Sequence, residues 1–434
     1  MAIMNIKIYQ KLWIQIPMVV LFLTSCNDFL NVAPENRTEE EGYYNSAQRI
    51  DQSVVGVYVD LRRALLSNYS FLMYGEARAG DLVVKVDHQP FVASQQLKSN
   101  QFEMTQLTDW GYFYDVIKSA NDVLAIVAQA DSEVLSDYSR QLYKGEALAL
   151  KSMAYFYLAR IWGDVPSAES ADFGQKLTAA ATIDRAASYA RESLPLLPWT
   201  LLSDDGIESQ GLTAIRFNKT SATLLLAQEE LWRGKGPEAY SALQQLFVDD
   251  ASRTGFSLSM GKDRLTTISE TPLSGTVVGM TMDKLNAIYP AGDTRRTSLF
   301  TISADQDMAT LIVLDQSTLG LLKLSELELL MAEAAWRSGH FEEALEHLIT
   351  ASSGATEDYT LLTTDTFADA LLLERQRQLV GTGQRFFDLV RFGKVSAFVP
   401  ALSEAALQNG AAYWPLSARS ISGNSLSQNS YWSN

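Results

Sequence analysis

Few side chains able to carry catalysis are spaced to act together in this chain. It has three histidines, His88, His340 and His347, and one cysteine, Cys26. No His-Glu-x-x-His pair occurs and a Cys/His cluster is impossible, so the usual zinc ligand set is not expected. His340 and His347 fall on a helical segment and read as surface residues. No Gly-x-Ser-x-Gly elbow is present to raise a serine nucleophile. Gly381-Thr382-Gly383 lacks the rest of a phosphate-cradling loop. Paired carboxylates exist in any chain with 51 acidic residues, and a glycosidase pair is set by distance in space rather than along the chain. The expectation is therefore a non-enzyme, with no catalytic residue, no metal ligand and no cofactor.

Cys26 has another use. Lys7 and Lys11 precede an apolar stretch from Leu12 to Leu23, and no acidic residue comes before Asp28. A basic start, a short apolar core and small residues at a cleavage point describe a secretory signal over residues 1–25. The stretch is shorter than the roughly 20 residues that span a bilayer. Leu23-Thr24-Ser25-Cys26 is similar to the lipobox of bacterial lipoproteins, which implies lipidation at Cys26. Several acyl chains anchor stably where one does not. An exported protein that relied on disulfides would carry paired cysteines, and this one does not.

The remainder is globular in composition, 47% hydrophobic and 20% charged. Its formal charge is −16, or −18 once Lys7 and Lys11 are removed. Such a chain repels phosphate backbones and anionic lipid, so no nucleic-acid partner is expected and acyl chains are left as the membrane anchor.

Aromatic side chains stand out instead. Trp110, Tyr112, Phe113 and Tyr114 lie almost adjacent, and Trp110 and Tyr112 cannot share one helical face. An exposed aromatic offers a flat apolar face suited to stacking on sugars or peptide side chains.

These residues must be held by helices. Asn31 to Asn45 is a polar lead-in, with Thr38 and Glu41 spaced as a capping box. Val54, Tyr58, Leu61 and Leu65 then mark one apolar face. Tyr69 to Pro90 is mixed and predicts loops. Trp110, Tyr114, Ile117, Asn121 and Leu124 share a second face. Leu142 to Ile161 predicts a long helix, stopped by Gly163 and Pro166. Thr178 to Leu194 predicts another. Helix pairs are predicted at Thr220–Trp232 with Pro237–Phe247, and at Lys323–Ser338 with Phe341–Thr350. Ala251 to Leu319 predicts loops with one small hairpin, Phe367–Val380 and Gln384–Phe392 further helices, and Ala411–Asn434 an aperiodic tail.

The two pairs match each other. Ala227, Gly234, Ala239, Leu243 and Leu246 repeat as Ala332, Gly339, Ala344, Leu348 and Ala351 with the same separations. This spacing resembles the tetratricopeptide repeat, in which small residues let antiparallel helices approach and a glycine turns the chain. The chain thus reads as mostly α: tetratricopeptide-like helix pairs packed against a loop-rich region.

With these motifs in place the chain resembles the SusD/RagB family of outer-membrane nutrient-binding lipoproteins. Cys26-Asn27-Asp28-Phe29-Leu30 and the Ala47–Leu61 helix look like the family's start. Trp110-x3-Tyr114-x2-Ile117-x3-Asn121, Glu146 through Gly163-Asp164-Val165-Pro166, and Tyr289-Pro290-x2-Asp293-x-Arg295 match further segments. Glu374-Arg375-x3-Leu379 followed by Gly383-x-Arg385-x2-Asp388-Leu389-x-Arg391 is the most specific match. Pro415 and Gln428-Asn429 are similar to the family's closing segment. Gln378 and Thr382 stand where the family has Glu, and Ser425 and Ser430 where it has Pro. Read as residues, Arg385 and Asp388 lie three apart and can meet on one helical face, a packing role.

The resemblance implies one integrated body: signal peptide 1–25, an N-terminal region 26–215 and a C-terminal region 216–434 with the helix pairs. It implies an exterior-facing lipoprotein of the outer membrane. Such a protein binds oligosaccharide, or in some branches peptide, and delivers it to a SusC-like TonB-dependent transporter. The ligand region expected from it is Tyr74–Asp81, Thr108–Tyr112 and the loop around Tyr289. There Trp110 and Tyr112 would stack, and Arg78 and Asp81 would bond hydroxyls or amides. The alternatives are a peptide-capture lipoprotein of the RagB type and a lipid-anchored helical-repeat scaffold.

Overall fold

The structure is a computed structural model, and it describes residues 44–98, 102–169, 174–248, 257–261, 277–302, 307–312, 318–352, 355–421 and 427–433. Cys26, the signal segment and the Thr38–Glu41 capping box lie outside the described residues.

Helix α1, Ala47–Leu66, begins where the Ser46 side chain accepts a hydrogen bond from the Arg49 amide, a cap worth about 1 kcal/mol. Its stripe of Val54, Leu61 and Leu65 is buried, with Tyr58 half-buried. α2, Gly111–Gln129, packs on α1 and on α3, Asp137–Trp162. From Leu142 onward α3 is buried almost all round, which explains its weak apolar periodicity: a helix covered on every side has no polar face to show. α4, Ala179–Ser193, covers its other flank.

Strand β1 is Val83–Val84, and between α3 and α4 the strands β2 (Val165–Pro166) and β3 (Lys176–Leu177) form a small hairpin. Glu169 pins it. Its carboxylate takes Lys151 Nζ at 2.6 Å, Arg185 at 2.7 Å and the hydroxyls of Tyr189 and Tyr155 at 2.5 and 3.1 Å. Burial alone would raise its pKa; the hydrogen bonds from Lys151, Tyr189 and Arg185 outweigh this and hold it down to about 2. A depressed carboxylate contributes stability above its unfolded pKa that is lost as pH falls through its folded one. The side chain is 40% exposed, so solvent screening reduces the contribution to about 1 kcal/mol. Glu169→Gln is therefore expected to lose that amount at pH 7 and almost nothing at pH 2, measured by urea unfolding at both.

The repeat spacing is realised as two helix hairpins. α5 (Lys219–Trp232) and α6 (Gly236–Val248) form one. Between them and the second pair lie β4 (Ser257–Gly261), β5 (Val278–Thr281), α7 (Met282–Ile288), α8 (Arg295–Leu299), β6 (Phe300–Thr301), β7 (Met308–Leu311) and β8 (Thr318–Lys323). α9 (Leu327–Arg337) and α10 (Phe341–Ala351) form the second hairpin, and α6 packs on α9. Gly234 and Gly339 turn the chain at φ +73° and +85°, where a side chain would be strained. Ala227, Ala239, Ala332 and Ala344 are fully buried at the helix contacts. α11 (Thr364–Gln378) and α12 (Arg385–Arg391) complete the array.

Three stretches depart from the sequence expectation. Residues 251–319 hold more than one hairpin: an antiparallel sheet ordered β1-β5-β7-β6, a separate β4-β8 pair, and α7 and α8. The sheet strands are two to four residues long, too short for alternation to register, and β1 pairs with a strand nearly 200 residues away. Tyr69–Pro90 is not loop-rich at its start. A buried π-helical turn runs from Met73 to Ala77, after Asn68 and Tyr69 break α1's path in the left-handed region at φ 53° and 55°. The last segment carries a short helix, Ala418–Ile421, and clamps the end of α3. Trp414 N donates to Ile161 O at 2.7 Å, Trp162 Nε1 to Pro415 O at 3.3 Å, and Gln428 exchanges two bonds with Leu416.

The π turn meets the Gly381–Gly383 turn backbone to backbone. A Cβ on Gly75 would lie 2.4 Å from Gly383 O. Gly75→Ala is accordingly expected to cost about 1–3 kcal/mol, read as a lowered urea midpoint. The largest apolar cluster runs from Ile50 to Trp432 and draws on both halves of the chain. Among the described residues no helix is long and apolar enough to cross a membrane.

Candidate functional site

The expected contact residues divide into two groups, and four of the five are buried. Arg78 is 1% exposed. Its Nη1 and Nη2 donate to the Ala412 and Ala411 carbonyls at 2.6 Å each, its Nε donates to Gln95 at 3.2 Å, and its guanidinium lies 4.1 Å from the Phe386 ring. It latches the C-terminal segment to the π turn. Asp81 is held by Lys284 at 3.1 Å, Arg385 at 3.0 Å and Gln376 at 2.6 Å. Tyr289 is fully buried, edge-on to Phe300, with its hydroxyl donating to Arg377 O at 2.9 Å.

Trp110 and Tyr112 lie apart from these, beside α1 and α2. Trp110 is buried edge-on to Tyr114, where the C-terminal segment crosses it: Ser417 N donates to Thr108 O at 3.0 Å. Tyr112 is half-buried, with the Arg63 guanidinium 5.0 Å from its ring. Against the expectation that Arg78, Asp81, Tyr289 and Trp110 meet ligand, the structure buries all four. The polar atoms of Arg78, Asp81 and Tyr289 are bonded inside the protein, and Trp110 packs on Tyr114. Arginine and aromatic side chains read alike in sequence whether they line a cleft or seal a core. Tyr112 alone keeps an accessible edge.

These side chains belong to a buried ion network. Arg375 bridges Glu326 at 3.1 Å and Asp388 at 3.0 Å; Asp388 also takes Arg391, which reaches Glu333 at 2.8 Å. Arg295 binds Asp293 at 2.7 Å and Glu374, whose other oxygen accepts from Tyr359. Arg377 binds Glu357 and donates to Ile288 O. The expected Arg385–Asp388 contact is replaced: Arg385 turns to Asp81 instead, because Asp388 is saturated by Arg375 and Arg391. Gln378 and Thr382 do not interrupt the network. They bond the Ala351 and Leu379 carbonyls. Removing one partner from such a network leaves a buried charge uncompensated.

Glu76 sits at its edge, both carboxyl oxygens 3.0 Å from Gly383 N. Burial pushes its pKa up to about 8, against the lowering effect of the Gly383 amide, and Asp81 raises it further. A small cavity lined by Asp81, Gln376, Arg385 and Asp388 together with Met280, Leu379 and Val380 has room for about one water.

The network carries the sheet. Val84, Val278, Met280, Ala309, Leu311 and Phe300 form its buried inner face. Cross-strand partners share a face, so the register Val83–Gly279–Thr310–Thr301, with Thr281 opposite Met308, forms the outer one. Thr281 and Thr301 are exposed there, and Val83, Thr310 and Met308 partly so. No signal short of the fold identifies this row, since its members are scattered over more than 200 residues. Among the described residues no group of three or more His, Asp or Glu side chains is placed to hold a metal ion.

The fold so defined is a helical-repeat body carrying a small sheet on a buried charge network. Residues 28–228 match a SusD-like family described as "Starch-binding associating with outer membrane". A SusD-like protein of Formosa agariphila is 28% identical over 235 residues, 52% of this chain and 43% of that protein. One of Bacteroides ovatus is 27% identical over 169 residues, 37% and 29% respectively. The matched stretch therefore spans less than half of either relative. A SusD-superfamily protein of Bacteroides thetaiotaomicron superposes with a TM-score of 0.75 at 21% identity, covering 90% of this chain and 99% of the other. Surface glycan-binding protein A of the same organism, in complex with laminarihexaose, gives 0.67 at 18% identity over 88% and 99%. The N-terminal part of the chain is thus similar to SusD-like proteins, and the described residues share the fold of SusD-superfamily structures.

Proposed function

We propose that this protein is a lipid-anchored component of the outer membrane, facing the exterior, that binds oligosaccharide and delivers it to a SusC-like TonB-dependent transporter. The observation that carries this is the family match over residues 28–228, with its starch-binding description. The shared fold with a surface glycan-binding protein in complex with laminarihexaose supports it. The Leu23–Cys26 motif supports the anchor.

The proposed ligand surface is the outer row of the sheet with the neighbouring exposed part of α7; the edge of Tyr112 is a separate candidate contact. The buried network beneath is a rigid mount: it presets the surface, so binding spends little on ordering it. The part proposed for this chain is binding, without chemistry.

Two measurements test this. Cys26→Ser should move the expressed protein from the membrane fraction to the soluble exported fraction; retention in the membrane contradicts the anchor. A glycan array probed with the soluble form beginning at Asn27 should give oligosaccharide hits. A peptide-dependent rise in melting temperature with no glycan hit would instead favour peptide capture. Purification from membranes with a large barrel partner supports the transporter, and purification with only other envelope proteins favours a scaffold.

A further inference from the structure

Two arginines of the buried network keep N–H groups with no hydrogen-bond partner among the described residues. Arg375 commits Nε to Asp388 at 3.0 Å and Nη2 to Glu326 at 3.1 Å, and its Nη1 is left over. Arg385 commits Nη1 to the Leu372 carbonyl at 3.3 Å. Its Nε lies 3.0 Å from Asp81 but too far off line for a hydrogen bond, and its Nη2 meets no acceptor. The two side chains are 1% and 4% exposed. A buried donor left unbonded keeps its full desolvation cost, and native interiors seldom leave one so. Both arginines line the small cavity that Asp81, Asp388, Glu76 and Gln376 also line. Asp388 takes Arg375 and Arg391, and Asp81 takes Lys284 and Gln376. A carboxylate accepts about four bonds, so each has lone pairs to offer.

We infer that this cavity is a binding site for one ordered water, which accepts from Arg375 Nη1 and Arg385 Nη2 and donates to Asp81 and Asp388. Size and charge both select water. The space suits about one water, and a halide is larger. Burial keeps Glu76 largely protonated at neutral pH, so the lining balances two carboxylates against two guanidiniums. A halide would satisfy the N–H groups but lie against both carboxylates, and a metal ion would do the reverse. Water alone meets donors and acceptors together. Bound there, it ties α11 and α12 to the segment after the π turn. It also fixes Arg385, whose ion pair with Asp81 reaches Lys284 of α7. This role is independent of the ligand that the sheet takes.

A crystal structure of the chain from Asn27, with a matched crystal soaked in sodium bromide, tests the inference. A single water-like peak is expected about 2.7–3.2 Å from both Arg375 Nη1 and Arg385 Nη2, with no anomalous signal from bromide. An anomalous bromide peak at that point overturns water in favour of a halide. A cavity without density, or side chains closed so that the arginine N–H groups find protein acceptors, overturns any occupant. Oxygen-17 relaxation dispersion reads the same site in solution. Val380 lines the cavity, and Val380→Leu should remove one long-lived water from the signal of the parent. A folded variant that keeps the full signal overturns the inference. Should that variant fail to fold, the crystal outcomes decide alone.

Discussion

Arg375→Met lowers the free energy of unfolding by about 3–5 kcal/mol. The guanidinium is 1% exposed and carries two carboxylates, Glu326 and Asp388. Asp388 keeps Arg391, and Glu326 keeps the Gln228 amide at 3.1 Å. Burial already raises the pKa of Glu326, which Arg375 counteracts. Without Arg375 it must take up a proton or draw in water. Met fills much of the volume, so the loss is chiefly electrostatic rather than a cavity. Urea unfolding at pH 7 measures it. Glu326→Gln in the same background should recover part of the loss, as coupled neighbours do. A loss under about 1 kcal/mol, in the range of surface substitutions, would mean that the network does not hold the sheet mount.

Glu76→Gln acts in the opposite direction. A carboxyl whose folded pKa is about 8, against an unfolded value near 4.5, favours the folded state most when protonated. That stability is complete below pH 4.5 and drains as pH rises toward 8, because the unfolded chain releases its proton first. The full drain is roughly 4–5 kcal/mol as an upper limit. Gln keeps an acceptor for Gly383 N and has no proton to lose. The variant should therefore be more stable than the parent at pH 8, with the difference shrinking to almost nothing at pH 4. Thermal unfolding across that range reads it. A difference independent of pH would place the effect in packing rather than in ionisation.

The helical part of the fold was legible because the signals that start, stop and turn its helices are local. Ser46 starts α1, Gly163 and Pro166 end α3, and the equal spacing around Gly234 and Gly339 marks the hairpins. The sheet was not legible, since it joins Val83–Val84 to residues 278–311 through strands too short to alternate. The candidate site suffered for the same reason. Tyr74 to Asp81 was read as a loop, where Arg78 and Asp81 would face water. It is a π turn sealed under the sheet and the C-terminal segment, where the same side chains are fasteners. The Glu374–Arg391 motif was read correctly as packing, but its pairing was not: sequence spacing favoured Arg385 with Asp388, and the third dimension supplied Asp81.

The most direct test of the account is hydrogen–deuterium exchange on the soluble chain from Asn27, with and without the oligosaccharide that binds best on the array. The account predicts protection on ligand addition at residues 83–98 and 278–311, with the α5–α6 and α9–α10 hairpins unchanged. Protection confined to those hairpins, or none anywhere at saturating glycan, would contradict the claim that the sheet face captures the sugar.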